Sequence, residues 1–372
     1  MKQIKFIDSL TPLRGIAAIM VMFFHYDAFL MMQGFPRLIS TNSTFFIARG
    51  DLWVDFFFIL SGFVICHVYS QQLSNLNKKV IKKYIWARFS RIYPLHFFIM
   101  ILFAIHFLAL LVFVPEFADK LKPPSGFNDF VLQLFFLDAI GLIDGWSWNV
   151  PSWSVASEWW IYLLAILVIP FINKNKNTIT ALALVVSLFA LILIHHFTKE
   201  YAAGTPIWRI TSTFRCLFEF SIGVSIYQFY KSLNNTQSIW ASDWMMFLIG
   251  IGVVLNLHFD IYLILIIPFF SAFLLCAALN NGLPSRILNA KPFVFLGDLS
   301  YSIYLIHIFW LMRFGRMWVE LYYKPDYPES EPTSIDHFIW LTVLFFATIS
   351  SSYLTHRFVE LKAQKKLRTI FP

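Results

Sequence analysis

Ten stretches of this 372-residue sequence are each apolar over close to the length that a helix needs to cross a bilayer core. A hydrocarbon layer of about 30 Å takes roughly 20 residues of helix. The stretches are 13–32, 52–70, 94–114, 153–172, 178–197, 211–230, 243–258, 261–280, 292–313 and 336–356. The spacing predicts an all-α polytopic membrane protein of about ten transmembrane helices, folded as one domain over residues 1–372. Composition agrees: 58% of residues are hydrophobic and only 13% charged, far from the balance of a soluble domain. The net charge of +8 does not point to nucleic acid, because Lys and Arg cluster between the apolar runs, where they set topology. Cys66, Cys216 and Cys276 fall inside those runs and read as packing residues. Lys2 and Lys5 precede the first run as in a signal peptide. That run is long, holds His25 and ends in Gln33-Gly34-Phe35-Pro36 with no small-residue cleavage site, so it reads as a retained span.

An eleventh segment, 127–143, is short and carries Asp129 and Asp138. With ten spans and the N-terminus inside, the cytoplasmic segments hold Lys78, Lys79, Lys82, Lys83, Arg88 and Arg91, then Lys174 and Lys176, Lys231, Arg286 and Lys291, and finally the basic tail from Arg357. The external loops mix signs, as in Glu116, Asp119, Lys120 and Lys122, or Glu320, Lys324, Asp326, Glu329 and Glu331. Counting 127–143 as a span would invert every later loop. It is therefore expected to be re-entrant or interfacial, with both termini cytoplasmic.

Ionisable groups inside a span cost at least about 2.5–3.5 kcal/mol, so they mark interior faces or sites. His25, Asp55, Glu158, Arg215, Glu219 and His307 are all placed in the outer half by this topology, and Arg14 at the inner end. Arg14 and His25 are eleven residues apart, roughly 16 Å of rise with almost no net rotation, so they share one helical face. Arg14 reads either as a snorkelling anchor or as one end of a groove along that face. Ser61-Gly62 permits close helix approach, and Asp55 reads as a partner for Arg or His. Arg88 and Arg91, at i and i+3, form either a plain positive-inside cluster or a pair able to grip phosphate. Trp148, Trp153, Trp159 and Trp160 form an aromatic belt around Glu158, which needs a partner; His25, at similar depth, is the candidate. Tyr301, Tyr304 and His307 make one helical stripe, readable as packing or as a site.

In this order the pieces resemble the acyltransferase 3 family of multipass membrane O-acyltransferases. The matching elements are Arg14 and His25 with ten residues between them, Phe57, Phe58, Ser61 and Gly62, the Arg88/Arg91 pair, Trp153, Ser154 and Glu158, and Ser300, Tyr301, Tyr304, Leu305 and His307. The resemblance implies a ten-span fold in a bacterial inner membrane, acetyl-CoA or a similar acyl-CoA as cytoplasmic donor, and a cell-surface glycan such as lipopolysaccharide O-antigen or exopolysaccharide as acceptor. It implies His25 as the catalytic histidine and Arg14, Arg88 and Arg91 as donor contacts. Unlike fused family members, the sequence ends soon after the tenth span, so the form expected is the one without an external SGNH domain.

Acyl transfer from a thioester to a hydroxyl needs a base and a stabilised oxyanion. On this reading His25 is the base with Glu158 orienting its imidazole, or His25 carries the acyl group transiently; Tyr301 or Tyr304 would donate to the oxyanion. Asp55, Ser61, Trp153, Arg215, Tyr301, Tyr304 and His307 are assigned to substrate binding or structural support, and no metal is expected. The competing class is a proton-coupled transporter or flippase of a glycan precursor, against which stand the absence of paired repeats and the few Gly or Pro breaks in matching halves.

Overall fold

The computed structural model describes residues 6–115, 126–174, 176–198, 203–233, 238–261, 263–323 and 333–370. Of the external loop charges named above, Glu116, Asp119, Lys120, Lys122, Lys324, Asp326, Glu329 and Glu331 lie outside the described residues. Within them the chain is helical with no strand. The helices are α1 (Leu10–Met32), α2 (Trp53–Leu73), α3 (Lys78–Phe113), the short α4 (Phe127–Leu134), α5 (Ser152–Lys174), α6 (Lys176–Thr198), α7 (Pro206–Ser232), α8 (Asp243–Phe259), α9 (Leu263–Leu279), the short α10 (Leu283–Leu288), α11 (Lys291–Trp310), α12 (Ser334–Thr355) and α13 (Leu361–Ile370).

Each apolar run of the sequence thus lies in one long helix. Seven are long and apolar enough to cross a membrane; α8 and α9 are apolar but shorter, at 17 residues each. The remaining one, α7, carries Arg209, Arg215 and Glu219 within its length. The architecture is that of an all-α polytopic membrane protein. Polar side chains close the helix starts: Asn77 accepts from the Val80 amide, Ser242 from Met245, and Thr333 and Asp336 form a reciprocal capping box. Arg88 and Arg91 fall in the third and fourth turns of the same 36-residue helix that continues through Pro94 into the next span.

The segment 127–143 does not cross. Its helix α4 has eight residues, about 12 Å of rise, and is followed by left-handed Phe136, one 3-10 turn at Leu137–Ile140 and left-handed Gly141. A buried polar network holds it in place. Gln133 donates to Ser152 Oγ and the Asn149 carbonyl and accepts from the Asn149 amide, Ser152 donates to Asp138, and Arg209 donates to the carbonyls of Asp138, Gly145 and Gly204. Irregular backbone is tolerated at membrane depth where protein satisfies it, as here.

Three contacts set the relative direction of the helices around the centre. Gly50, just before α2, sits against Met20 and Phe24 while Arg14 and Ser61 line one cavity, so α2 runs antiparallel to α1. α11 runs parallel to α1, with Gly15 against Gly297 and His25 beside His307. α7 runs parallel to α2, with Arg215 beside Asp55 and Gln228 beside Cys66. Both parallel pairs depend on glycine. A Cβ on Gly62 would strike the Phe220 carbonyl, one on Gly223 the Ile59 carbonyl, and one on Gly297 the Thr11 carbonyl. The close approach read from Ser61-Gly62 is therefore a backbone-to-backbone contact of α2 with α7.

Gly62→Val is expected to lower thermal stability by more than the roughly 1–3 kcal/mol of ordinary overpacking, because the obstacle is backbone and cannot repack. Gly250→Ala, which would meet only Phe273 Cε2 at 3.6 Å, should be tolerated. Unfolding temperatures of the two variants in detergent check the contrast; equal losses would refute it.

Candidate active site

An elongated cavity of about 150 Å³ opens between α1, α2, α3, α5 and α11. Its wall on α2 runs from Ile65 through Ser61 and Phe57 to Val54, about 16 Å along the helix. Arg14, Arg88 and Arg91 line it, with Ser300, Tyr301 and Tyr304 from α11 and Glu158 and Tyr162 from α5. Since Arg14 lies early in α1, the arginines mark the end of the bundle where α1 and α11 begin.

The three guanidiniums are held differently. Arg14 Nη2 donates to Ser300 Oγ at 3.3 Å. Arg88 donates to Tyr69 Oη at 2.8 Å and lies over the Tyr69 and Tyr162 rings, 4.9 and 5.9 Å from their centroids, while its buried Nε has no acceptor among the described residues. Arg91 is ion-paired with Glu360, which a wide π turn at His356–Glu360 carries into the bundle, where Ser302 and His356 also contact it. Two of the three arginines thus have neutral partners only in their hydrogen bonds, and Glu158 is the carboxylate that shares their cavity.

Glu158 departs from the expected pairing. It accepts a hydrogen bond from Ser61 Oγ, which is also 3.3 Å from Tyr162 Oη, so the carboxylate belongs to the arginine-lined cavity. His25 is oriented by other groups. Its Nδ1 faces the Val21 carbonyl at 2.9 Å, and His307 Nδ1 faces the Ile303 carbonyl at 3.0 Å. Carbonyls only accept, so each ring carries its proton on Nδ1, a tautomer assigned from the partners. His307 Nε2 is then a lone pair, 3.2 Å from His25 Nδ1, and shares that hydrogen. His25 Nε2 is left unprotonated and able to take a proton. The orienting partner is His307, with the Val21 carbonyl, and not Glu158.

The histidine pair adjoins the cavity through Tyr304, which lines it and whose ring centroid is 6.2 Å from that of His307. Tyr304 Oη is hydrogen-bonded to Ser154 Oγ, and Tyr301 Oη donates to the Ile92 carbonyl at 2.6 Å. Asp55 and Arg215 stand apart, paired at 3.0 Å beside a second cavity. Trp153 separates the two regions, with its ring 5.9 Å from Arg215 Cζ on one side and 6.3 Å from the Phe58 ring on the other.

The sequence profile of the acyltransferase 3 family, described as an acyltransferase domain, matches residues 7–357. The chain belongs to this family. It is 25% identical over 333 residues to the O-acetyltransferase OatA of Staphylococcus aureus, covering 82% of this chain and 50% of that protein. It is 26% identical over 340 residues to the acyltransferase MdmB of Streptomyces mycarofaciens, covering 83% and 80%. It is 24% identical over 338 residues to the peptidoglycan O-acetyltransferase OatA of Listeria monocytogenes, covering 82% and 49%. The chain spans about half the length of the OatA relatives it matches. No solved structure matches it.

The sequence reading did not single out Tyr69, Tyr162 or Glu360. A signal existed for each: Tyr162 lies four residues after Glu158, Tyr69 eight after Ser61, and Glu360 is the one acidic residue in the stretch 337–372. Because Glu360 is 1% exposed, Arg91→Leu leaves a buried carboxylate short of its main partner. The expected loss is up to about 3 kcal/mol, since His356 remains in place. Arg91→Leu combined with Glu360→Leu should recover most of it. Unfolding curves of the single and double variants test this, and a double variant no more stable than the single would overturn the pairing.

Proposed function

We propose that the protein is a membrane O-acyltransferase that moves an acyl group, acetyl in the simplest case, from acyl-CoA to a hydroxyl of a cell-surface glycan. The observation that carries this reading is the contact of His25 Nδ1 with the Val21 carbonyl and His307 Nε2, which assigns the free lone pair to His25 Nε2, in a pair joined through Tyr304 to a cavity whose other end is walled by three arginines. Family membership and the names of the relatives support acyl transfer to oxygen. A cell-surface acceptor is supported by the Listeria relative, named for peptidoglycan.

On this reading the donor enters from the end where α1 and α11 begin. Arg14 and Arg88 meet its phosphates, with Arg91 held in line by Glu360. The arm that carries the thioester, on the order of 15–20 Å by chain reach, follows the α2 wall toward Tyr304. The acceptor oxygen attacks the thioester carbonyl while His25 Nε2 takes its proton. Collapse of the tetrahedral intermediate breaks the C–S bond, and the departing thiolate takes the proton from His25. Tyr304 is placed to donate to the oxyanion and Glu158 to balance the arginines. On this reading the phosphate-binding end faces the cytoplasm, with both termini on the cytoplasmic side of a bacterial inner membrane. Against a transporter stand the names of these relatives, each an acyltransferase or an O-acetyltransferase.

Purified protein assayed with labelled acetyl-CoA and a glycan acceptor provides the test. His25→Ala should lose about 10²–10⁴-fold in turnover, the range of a general base. His307→Ala should lower turnover by roughly 10-fold or more with little change in the donor's KM, since it acts through His25. Full acetylation by His25→Ala would end the proposal. Arg88→Gln, by contrast, should raise the donor's KM about 10-fold, equivalent to about 1.4 kcal/mol of lost binding, with turnover little changed. An unchanged KM would remove the phosphate role of Arg88.

A further inference from the structure

Two helices that touch at the end of the bundle where α1 and α11 begin carry a dense positive charge. Lys78, Lys79, Lys82 and Lys83 are exposed in the first two turns of α3. Lys362, Lys365, Lys366 and Arg368 are exposed on α13. Two contacts join the helices: Trp86 Nε1 donates to the Leu367 carbonyl at 2.6 Å, and Arg91, farther along α3, is ion-paired with Glu360, just before α13. α13 therefore runs antiparallel along the start of α3, which brings Lys83 and Arg368 close to one level. Neither helix supplies a counter-charge, since residues 78–113 and 361–372 contain no Asp or Glu and Glu360 is buried against Arg91. Other cations at this end are spread over separate elements, with Lys231 on α7, Arg286 on α10 and Lys291 on α11. Orienting a chain in the membrane needs an excess of positive charge, but not its concentration along one seam.

Apolar surface adjoins these cations. Phe358 is 51% and Leu361 45% exposed, and Lys362 Nζ is 4.8 Å from the centroid of the Phe358 ring. Leu361, Lys365 and Arg368 fall at i, i+4 and i+7, on one face of α13. Along that face apolar contact gives way to positive charge, as a bilayer core gives way to its headgroups. We infer that the seam of α3 and α13 seats an anionic phospholipid, with its phosphate between the lysines that open α3 and Lys365 and Arg368 of α13, and its acyl chains against Phe358 and Leu361. Ammonium and guanidinium groups from two helices converge there on one phosphodiester, and the attraction of a negatively charged leaflet adds to theirs. Because Glu360 precedes α13 directly and holds Arg91, a lipid that clamps α13 onto α3 also steadies that ion pair. The inference does not depend on the acyl-transfer reading, since it needs only a membrane and the exposed faces of the two helices.

The test uses the full chain in nanodiscs of phosphatidylcholine, with or without phosphatidylglycerol. A photoreactive phosphatidylglycerol should label peptides within 78–91 or 357–370, and unlabelled phosphatidylglycerol, but not phosphatidylcholine, should compete. Unfolding temperature should rise by about 2–4 °C with phosphatidylglycerol. Lys82→Gln, Lys83→Gln, Lys365→Gln and Arg368→Gln combined should lose most of that rise, whereas Lys231→Gln with Arg286→Gln, which removes equally exposed cations elsewhere at this end, should keep it. Should the fourfold variant fail to fold, the labelling of the unaltered protein decides. Label confined to other helices overturns the inference, as does an equal loss of the rise in both variants, which would mean a diffuse field and no site. Competition by millimolar CoA in place of phosphatidylglycerol would give the surface to a soluble phosphate and overturn it too.

Discussion

A charge inside a hydrocarbon layer is stable only when protein surrounds and answers it, and this constraint organises the molecule. The ionisable side chains of the central helices do not scatter over the lipid-facing surface. They gather into interior groups: Arg14, Arg88, Arg91, Glu158 and Glu360 around one cavity, Asp55, Arg215 and Glu219 around another, and Asp138 with Arg209 in the network that pins the re-entrant segment. Each group needs several helices to enclose it. Bringing those helices close enough is the work of glycine, with α1 against α11 at Gly15 and Gly297 and α2 against α7 at Gly62 and Gly223. Without hydrophobic drive between helices in lipid, such small-residue contacts are what packing can use.

The ten apolar runs made the fold class legible, because run length is a direct consequence of bilayer thickness. Loop charges also placed 127–143 correctly as an element that does not cross, and the eight-residue α4 gives the physical reason. The shared face of Arg14 and His25 was legible from helix geometry alone. The sequence could not show what those faces meet. His25 and His307 are 282 positions apart, and matching depth suited Glu158 as a partner just as well. Depth is one coordinate, whereas pairing also requires the rotation of each helix and its neighbours. Glu158 is turned toward Ser61 on α2, and α11, lying against α1, supplies the histidine.

The pairing of His25 with His307 has a chemical consequence that a carboxylate partner would not give. A carboxylate on Nδ1 stabilises the imidazolium and holds the ring in a charged-ready state. A neutral imidazole and a backbone carbonyl fix the same tautomer without adding an anion. In a low-dielectric interior that choice avoids a buried charge while the site is empty, and it leaves the basic nitrogen available. The charged groups are instead concentrated around the arginine-lined cavity.

Charge is also segregated across α2. On one side three arginines face Glu158 and Glu360, leaving one positive charge in excess; on the other Asp55 and Glu219 gather around Arg215. Adjacent residues of a single helix, Val54 and Asp55, line the two cavities, and Trp153 fills the space between them. The apolar and aromatic wall between the two groups keeps the arginines of the first cavity from pairing with the carboxylates of the second. An excess positive charge held in a membrane interior is costly unless an anion answers it, so the arginine side is the part of the fold whose stability a bound anion would raise.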